Sequence, residues 1–159
     1  MQDFKSEVLL SEEKKAEVLM HALGERYSAI RAIRDRVQNV CLWVLGLFVT
    51  GAGWLLQATN PLDCSEKIFF TSMILIAVFV LRAYYLKDLE KGFKNQQQTQ
   101  ARIESALGLC TEGVFIDCSI YPAEWGNAGT KKGKGNFFAH NYLLIYTGTL
   151  FLIMSIWLK

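Results

Sequence analysis

The hydrophobic residues of this chain are concentrated in three long stretches, which we call the first, second and third apolar segments. They cover residues 40–58, 68–86 and 140–158. The first and third contain no Asp, Glu, Lys or Arg, and the second contains only Arg82, near its end. A bilayer core of about 30 Å requires roughly 20 apolar residues in a helix. The pattern therefore predicts three transmembrane helices and an all-α integral membrane protein.

The alternative is a soluble bundle in which the three segments form buried core helices. Such helices would need polar faces, and these segments have almost none. The second segment fits a membrane if Arg82 extends its side chain to the interface, where Tyr84 and Tyr85 are also favourable. The third segment is less uniformly apolar, since its middle contains Tyr146, Thr147, Gly148 and Thr149.

The distribution of basic residues predicts how the helices are oriented. Most of the lysines and arginines lie in residues 1–39 and 87–139, whereas residues 59–67 contain only Lys67. The positive-inside rule then places residues 1–39 in the cytoplasm as an amphipathic helix and 59–67 outside as a short loop. Residues 1–39 are charged, and the first apolar segment begins too far along the chain to be the apolar part of a signal peptide. We expect a multi-pass protein of the cell inner membrane with a cytoplasmic N-terminus.

Both of the first two apolar segments are predicted to continue as helices in the cytoplasm. Ser11 followed by Glu12 and Glu13 is typical of a helix start, and no proline interrupts residues 11–58. The second helix is predicted to continue through residues 87–110 and to end at Gly108, which suits a left-handed C-cap. Together the two helices are predicted to form a long antiparallel hairpin that extends into the cytoplasm, with the third membrane helix beside it.

Residues with three- and four-residue spacing in 87–110 predict a coiled-coil-like seam along this cytoplasmic helix. They are Leu89, Phe93, Gln96, Gln100, Ile103 and Leu107. Two of these positions are glutamines, and an amide in a seam fixes register or oligomer number at some cost in stability. The alternative is a helix that is merely solvated. Two helices alone cover each other incompletely, so further copies of the chain are the expected partners.

Small and polar residues share one face of the first apolar segment. They are Gly46, Thr50, Gly53 and Gln57. Small residues allow helices to approach closely in lipid, and a glutamine side chain can hydrogen-bond across such an interface. This face is predicted to pack between subunits or to line a narrow pore, and packing within one chain is the alternative.

The linker of residues 111–139 is rich in glycine and contains three closely spaced lysines, Lys131, Lys132 and Lys134. It lacks the Gly-Lys-Ser/Thr ending of a nucleotide-binding loop. Contact with lipid headgroups, or simple flexibility, is favoured over a specific phosphate site.

Composition argues against most other chemistry. The 159 residues carry a net charge of only +2 and contain two histidines, His21 and His140. Neither histidine has a nucleophile or carboxylate near it in a catalytic pattern, and the four cysteines lack zinc-binding spacing. We therefore expect no catalytic residue, no metal, no cofactor and no direct binding of nucleic acid. Cys64 is the one cysteine predicted to face outward, where it could cross-link two copies.

The order of these parts resembles the SLATT-like, two-transmembrane effector proteins of bacterial conflict systems. The resemblance covers roughly residues 11–110 and rests on ERYSAIRAIRDR before the first membrane helix and RIESALGL at the end of the cytoplasmic helix. It implies an oligomeric effector that permeabilises the inner membrane in antiphage defence when a sensor encoded nearby signals infection. The competing hypotheses are a non-enzymatic scaffold or sensor that recruits a soluble partner through its cytoplasmic helices and, more remotely, a lipid-modifying enzyme.

Overall fold

The protein is described by a computed structural model covering residues 11–130 and 135–158. All regular structure in these ranges is helical, which confirms the predicted all-α class. The elements are helix α1 (Glu12–Gln57), helix α2 (Cys64–Val80), a π-helical segment (Leu81–Leu86), helix α3 (Lys87–Ala106), a short 3₁₀ turn (Ala123–Asn127) and helix α4 (Phe137–Trp157). Three continuous helical stretches are long and apolar enough to cross a membrane: Glu12–Gln57, Cys64–Ala106 and Phe137–Trp157.

Helix α1 begins where the sequence predicts. The hydroxyl of Ser11 accepts a hydrogen bond from the backbone N–H of Lys14 at 3.4 Å, so it satisfies one of the free donors of the first turn. Glu12 lies in that turn and bonds Lys15 at 2.7 Å. The helix then continues without interruption to Gln57, because residues 12–57 contain no proline to remove a backbone donor.

Helix α2 begins at Cys64, ahead of the apolar segment that starts at Ile68. The reason is a capping box, in which the Glu66 carboxylate accepts the backbone N–H of Asp63 at 3.0 Å. Ser65 donates its hydroxyl to the Asp63 carboxylate at 3.0 Å and fixes that side chain. The capping residues therefore determine where α2 starts, and the first residue of the apolar segment does not.

The helix that begins as α2 continues through the π-helical segment into α3. In that segment the backbone N–H of Lys87 bonds the carbonyl of Arg82, five residues earlier. A π turn accommodates one extra residue and rotates the side chains that follow relative to those before it. Sequence periodicity did not predict this irregularity.

The end of α3 agrees with the predicted cap at Gly108. This glycine has φ +76°, and the N–H of Leu109 bonds the Glu104 carbonyl at 3.0 Å while that of Gly108 bonds the Ser105 carbonyl at 3.0 Å. These two bonds define a Schellman motif. A side chain at position 108 would meet the Val114 methyl groups at 3.0 Å as well as adopting an unfavourable φ.

The chain forms two compact units. Among the described residues, the first consists of 11–30 and 96–130, and the second of 31–95 and 135–158. The first unit therefore includes the start of α1 and the C-terminal half of α3. The second includes the three apolar segments.

Helix α4 is the most buried helix of the second unit. Its buried residues follow three- and four-residue spacing: Phe138, Asn141, Ile145, Gly148, Thr149, Leu152, Ser155 and Ile156. In its apolar window 33% of residues are buried, compared with 11% in the window of α1 and 6% in that of α2 and α3. The third segment, which had the weakest apolar pattern, is thus the most buried of the three.

The buried polar residues of α4 are satisfied within the helix itself. Thr149 donates to the Ile145 carbonyl at 2.7 Å and Ser155 to the Phe151 carbonyl at 2.9 Å. The amide of Asn141 donates to the Phe137 carbonyl at 2.9 Å. Their hydrogen-bonding groups therefore need neither water nor another helix, which makes them compatible with apolar surroundings.

Many large apolar side chains of α1 and α2 remain exposed in the second unit. Trp43 is 80% exposed, Leu47 70% and Trp54 71% on α1, and Phe79 is 66% exposed on α2. A water-soluble chain seldom exposes an apolar surface of this extent.

The closest approach of α1 to α4 predicts a strong effect of substitution at Gly148. A Cβ built at Gly148 would lie 2.8 Å from Leu45 Cδ1 and 3.3 Å from Phe48 Cδ2. Gly148→Leu should therefore lower the free energy of unfolding by about 1–3 kcal/mol through overpacking. The measurement is the thermal unfolding midpoint in detergent.

The matched control is Gly92→Leu, because a Cβ at Gly92 has nothing within 4 Å. Equal midpoints for the two variants would contradict the close packing at Gly148.

Candidate functional site

The small-residue face of α1 consists of Gly46, Thr50, Gly53 and Gln57. Gly53 is partly covered and the other three are exposed. A Cβ built at Gly46 or Gly53 meets no atom within 4 Å. In the part of the chain that the structure describes, neither glycine is therefore a point of close helix contact.

A different side of α1 packs inside the second unit. Cys41 and Ala52 are buried there, and Leu45 and Phe48 contact Gly148 of α4. At 3.6 residues per turn these positions lie on a side of α1 different from that of Gly46 and its neighbours. One interpretation of the small-residue face was packing within one chain. No close contact at either glycine supports it in the described residues.

The close helix contact that we expect at the small-residue face of α1 is found instead at Gly148 of α4. In the sequence this glycine is one of the residues that weaken the apolar character of the third segment. Its position in the stripe from Ile145 to Leu152 was the signal that could have identified it, because a glycine within a buried stripe marks a short interhelical distance.

The seam predicted on α3 is divided between the two units. In the second unit Leu89 is partly buried, and Phe93 is buried against two rings of α4. The Phe93 ring centroid lies 5.9 Å from that of Phe137 and 5.5 Å from that of Phe138, in stacked and edge-on geometry respectively. Such pairs add about 0.5–1.5 kcal/mol to the effect of area burial.

In the first unit the two seam glutamines make hydrogen bonds within the chain. The side-chain carbonyl of Gln96 accepts a bond from the Arg26 guanidinium of α1 at 2.8 Å. The amide of Gln100 donates to the Glu104 carboxylate at 2.7 Å. Ile103 and Leu107 are partly buried beside them. The described contacts of both amides are thus intramolecular.

Glu104 is the residue of the first unit that sequence analysis missed. It is only 2% exposed, and its Oε1 atom accepts bonds from the Tyr27 hydroxyl at 2.7 Å and from Gln100. The Tyr27 hydroxyl also lies 3.4 Å from that of Tyr121. The available signal was spacing, since Glu104 follows Gln100 by one helical turn and adjoins Ile103.

The surroundings of Tyr27 keep its hydroxyl protonated. Burial, followed by the hydrogen bonds to Tyr121 and Glu104, raises the pKa of Tyr27 well above its ordinary value. A protonated phenol is the state that can donate to a carboxylate, so the raised pKa favours the form of Tyr27 that bonds Glu104.

The three lysines expected at lipid headgroups, Lys131, Lys132 and Lys134, lie outside the described residues. Just before them, the Gly129 carbonyl accepts a bond from the Gln98 side chain of α3 at 2.9 Å. Thr130 bonds the Asn127 carbonyl at 2.7 Å. These contacts attach the 3₁₀ turn to α3 within the first unit.

The described residues contain no group of three or more His, Cys, Asp or Glu side chains positioned to hold a metal ion. His21 is exposed, and its described side-chain contact is Glu25 at 3.7 Å. All four cysteines are free thiols, of which Cys41 is buried and Cys64 exposed. The chain matches no protein-family profile, no curated protein and no solved structure.

Because Glu104 is buried and hydrogen-bonded, we expect its substitution to destabilise the fold more than substitution of an exposed glutamate. Glu104→Ala removes the acceptor of two donors and should lower the free energy of unfolding by about 1–3 kcal/mol. Glu112→Ala is the matched control because Glu112 is exposed. The measurement is the thermal unfolding midpoint of each variant in detergent at pH 7. Equal midpoints for Glu104→Ala and Glu112→Ala would show that the network does not stabilise the fold.

Proposed function

We propose that the chain is a multi-pass protein of the bacterial inner membrane with a cytoplasmic N-terminus. Support comes from its three long apolar helices and from the exposed Trp43, Leu47 and Trp54 side chains, which suit contact with lipid. The concentration of basic residues in 1–39 and 87–139 supports the orientation. In this arrangement the N-terminal part of α1 and the C-terminal part of α3 are both in the cytoplasm.

The observation that carries the functional proposal is the uncovered small-residue face of α1. Gly46 and Gly53 have open space beside them, whereas the glycine at the α1–α4 contact is closely packed. A face of small residues that lacks a neighbour in its own chain suits close packing against the same face of another copy. We therefore propose a homo-oligomer assembled through Gly46, Thr50, Gly53 and Gln57.

The proposed oligomer permeabilises the membrane. Thr50 and Gln57 are exposed polar side chains in the otherwise apolar first segment, and uncharged polar groups around a common axis suffice for a poorly selective water-filled path. The resemblance to SLATT-like effectors supports antiphage defence by abortive infection as the biological role, with a soluble sensor encoded nearby as the activating partner.

A second candidate function is a membrane scaffold that recruits a soluble protein. The loop after α3 favours it, because Val114, Phe115 and Ile116 are each more than half exposed and form a contiguous apolar group in the first unit. Such a group is a common feature of protein-binding surfaces. This function requires neither an oligomer nor leakage.

The proposal predicts leakage that depends on the α1 face. Purified protein reconstituted into liposomes should release a trapped small dye and should be oligomeric. Gly53→Leu should reduce the release rate roughly tenfold, since bulk at a close helix contact costs about 1–3 kcal/mol of association. Leu47→Phe is the matched control because it adds bulk at a different exposed position of α1.

Two outcomes would contradict the pore. One is a strict monomer without leakage, and the other is equal release by Gly53→Leu and the unsubstituted protein. The pore is supported if expression of the unsubstituted protein arrests growth and Gly53→Leu relieves that arrest. Expression without growth arrest, together with loss of a bound partner on substitution of Phe115, favours the scaffold.

A further inference from the structure

Arg82 occupies an unusual position in the second unit. It lies in the π-helical segment, and its guanidinium carbon is 5.6 Å from the ring centroids of both Tyr142 and Tyr146 on α4. The sequence alone had suggested that Tyr84 and Tyr85 would accompany it at the interface. Instead, two tyrosines from the third apolar segment hold it.

No described carboxylate lies within ion-pair distance of Arg82. Glu90, which follows Arg82 by about two turns on the same continuous helix, is already engaged. Glu90 accepts the Tyr142 hydroxyl at 3.0 Å through one oxygen and pairs with Lys94 through the other. The positive charge of Arg82 therefore has aromatic neighbours but no anionic partner in the described chain.

The position of Arg82 along the helix places it within the apolar zone of the proposed membrane arrangement. Lys67 and Lys87 mark the ends of that zone and are separated by about 30 Å at 1.5 Å per residue, which matches a bilayer core. Arg82 precedes Lys87 by about one and a half turns, roughly 7 Å. A charged group at that depth is costly unless its side chain extends to the interface, where lipid phosphates provide an opposite charge.

The rings of Tyr142 and Tyr146 contribute to holding the guanidinium but cannot satisfy it. A cation near an aromatic face is attracted by the ring electrons, but that face accepts no ordinary hydrogen bond from the N–H groups along the guanidinium edge. Five N–H donors point outward from that edge. A phosphate group matches this fork with two parallel, charge-assisted hydrogen bonds.

We propose that Arg82, flanked by Tyr142 and Tyr146, binds the phosphate of an anionic phospholipid in the cytoplasmic leaflet. The lipid phosphate supplies the missing negative charge, and the two rings fix the orientation of the guanidinium. The bond from the Tyr142 hydroxyl to Glu90 holds one ring in place and keeps Glu90 from pairing with Arg82. This proposal rests on the membrane placement proposed above but not on pore formation.

Lipid binding is measured by native mass spectrometry of the full-length protein in detergent, with phosphatidylglycerol or phosphatidylcholine added at equal concentration. The unsubstituted protein should retain phosphatidylglycerol about five- to tenfold more than phosphatidylcholine, as one basic contact near the membrane surface provides roughly 1 kcal/mol. Arg82→Gln should abolish this preference. Arg82→Lys, which keeps the charge but not the fork, should keep part of it.

Arg31→Gln is the matched control, because it removes the same charge from an exposed position in α1 of the same unit. It should retain the preference. Tyr146→Leu should weaken the preference by removing one ring, whereas Tyr146→Phe should retain it. Circular dichroism of each variant verifies that the helices remain formed, and the lysine variant keeps the test decisive if Arg82→Gln does not fold.

An unchanged lipid preference in Arg82→Gln, or no preference in the unsubstituted protein, overturns the proposal. So does an oligomer that Arg82→Gln dissociates in phosphatidylcholine alone, since Arg82 would then pair with a carboxylate of another copy. Carbonate extraction of cell membranes separates these results from failure of the proposed placement. Protein released by carbonate contradicts the placement, whereas protein that remains in the membrane without a lipid preference contradicts only the anionic-lipid site at Arg82.

Discussion

The packing of α4 against its neighbours is the interaction on which the second unit depends. A helix without a polar face must be covered by protein or by lipid, because water is a poor solvent for it. Gly148 lets α4 approach Leu45 and Phe48 of α1, and at the C-terminal end of α4 Trp157 donates a hydrogen bond to Thr71 of α2 at 3.2 Å. By occupying one side of α1, this packing determines which α1 residues remain exposed, among them Gly46 and Thr50.

The first unit is stabilised by different physical chemistry. Its contacts between α1 and α3 include hydrogen bonds of Tyr27 with Glu104 and of Arg26 with Gln96. A buried carboxylate is tolerated there because it accepts from two donors, and the pKa of Tyr27 is raised so that its hydroxyl stays available to donate. Networks of this kind specify which helix faces meet more sharply than apolar contacts do, since a misaligned pair would leave a buried polar group unsatisfied. Apolar packing thus stabilises the parts of α1 and α3 in the second unit, and polar contacts align the parts in the first unit.

Much of the candidate site was accessible from the sequence, but the partners of its residues were not. The spacing of Gly46, Thr50, Gly53 and Gln57 identifies a face, yet periodicity cannot tell whether another helix of the same chain covers it. The glutamines of the seam were assigned to an interface, and their bonds to Arg26 and Glu104 depend on how α1 and α3 meet. Arg82 was recognised as an exception in an apolar segment, but the two rings beside it come from about 60 residues farther along the chain.

Local chemistry by itself determined the helices of this protein. Ser11 and Gly108 mark helix ends through hydrogen bonds and a backbone conformation that depend only on nearby residues, and hydrophobic runs of bilayer length are a property of composition. Tertiary structure alone decided that the third apolar segment is the most buried, that Gly148 is the close contact, and that Glu104 is buried and accepts a hydrogen bond from Tyr27. The physical reason is that burial and charge pairing depend on residues distant in sequence, and their energies exist only once the helices have come together.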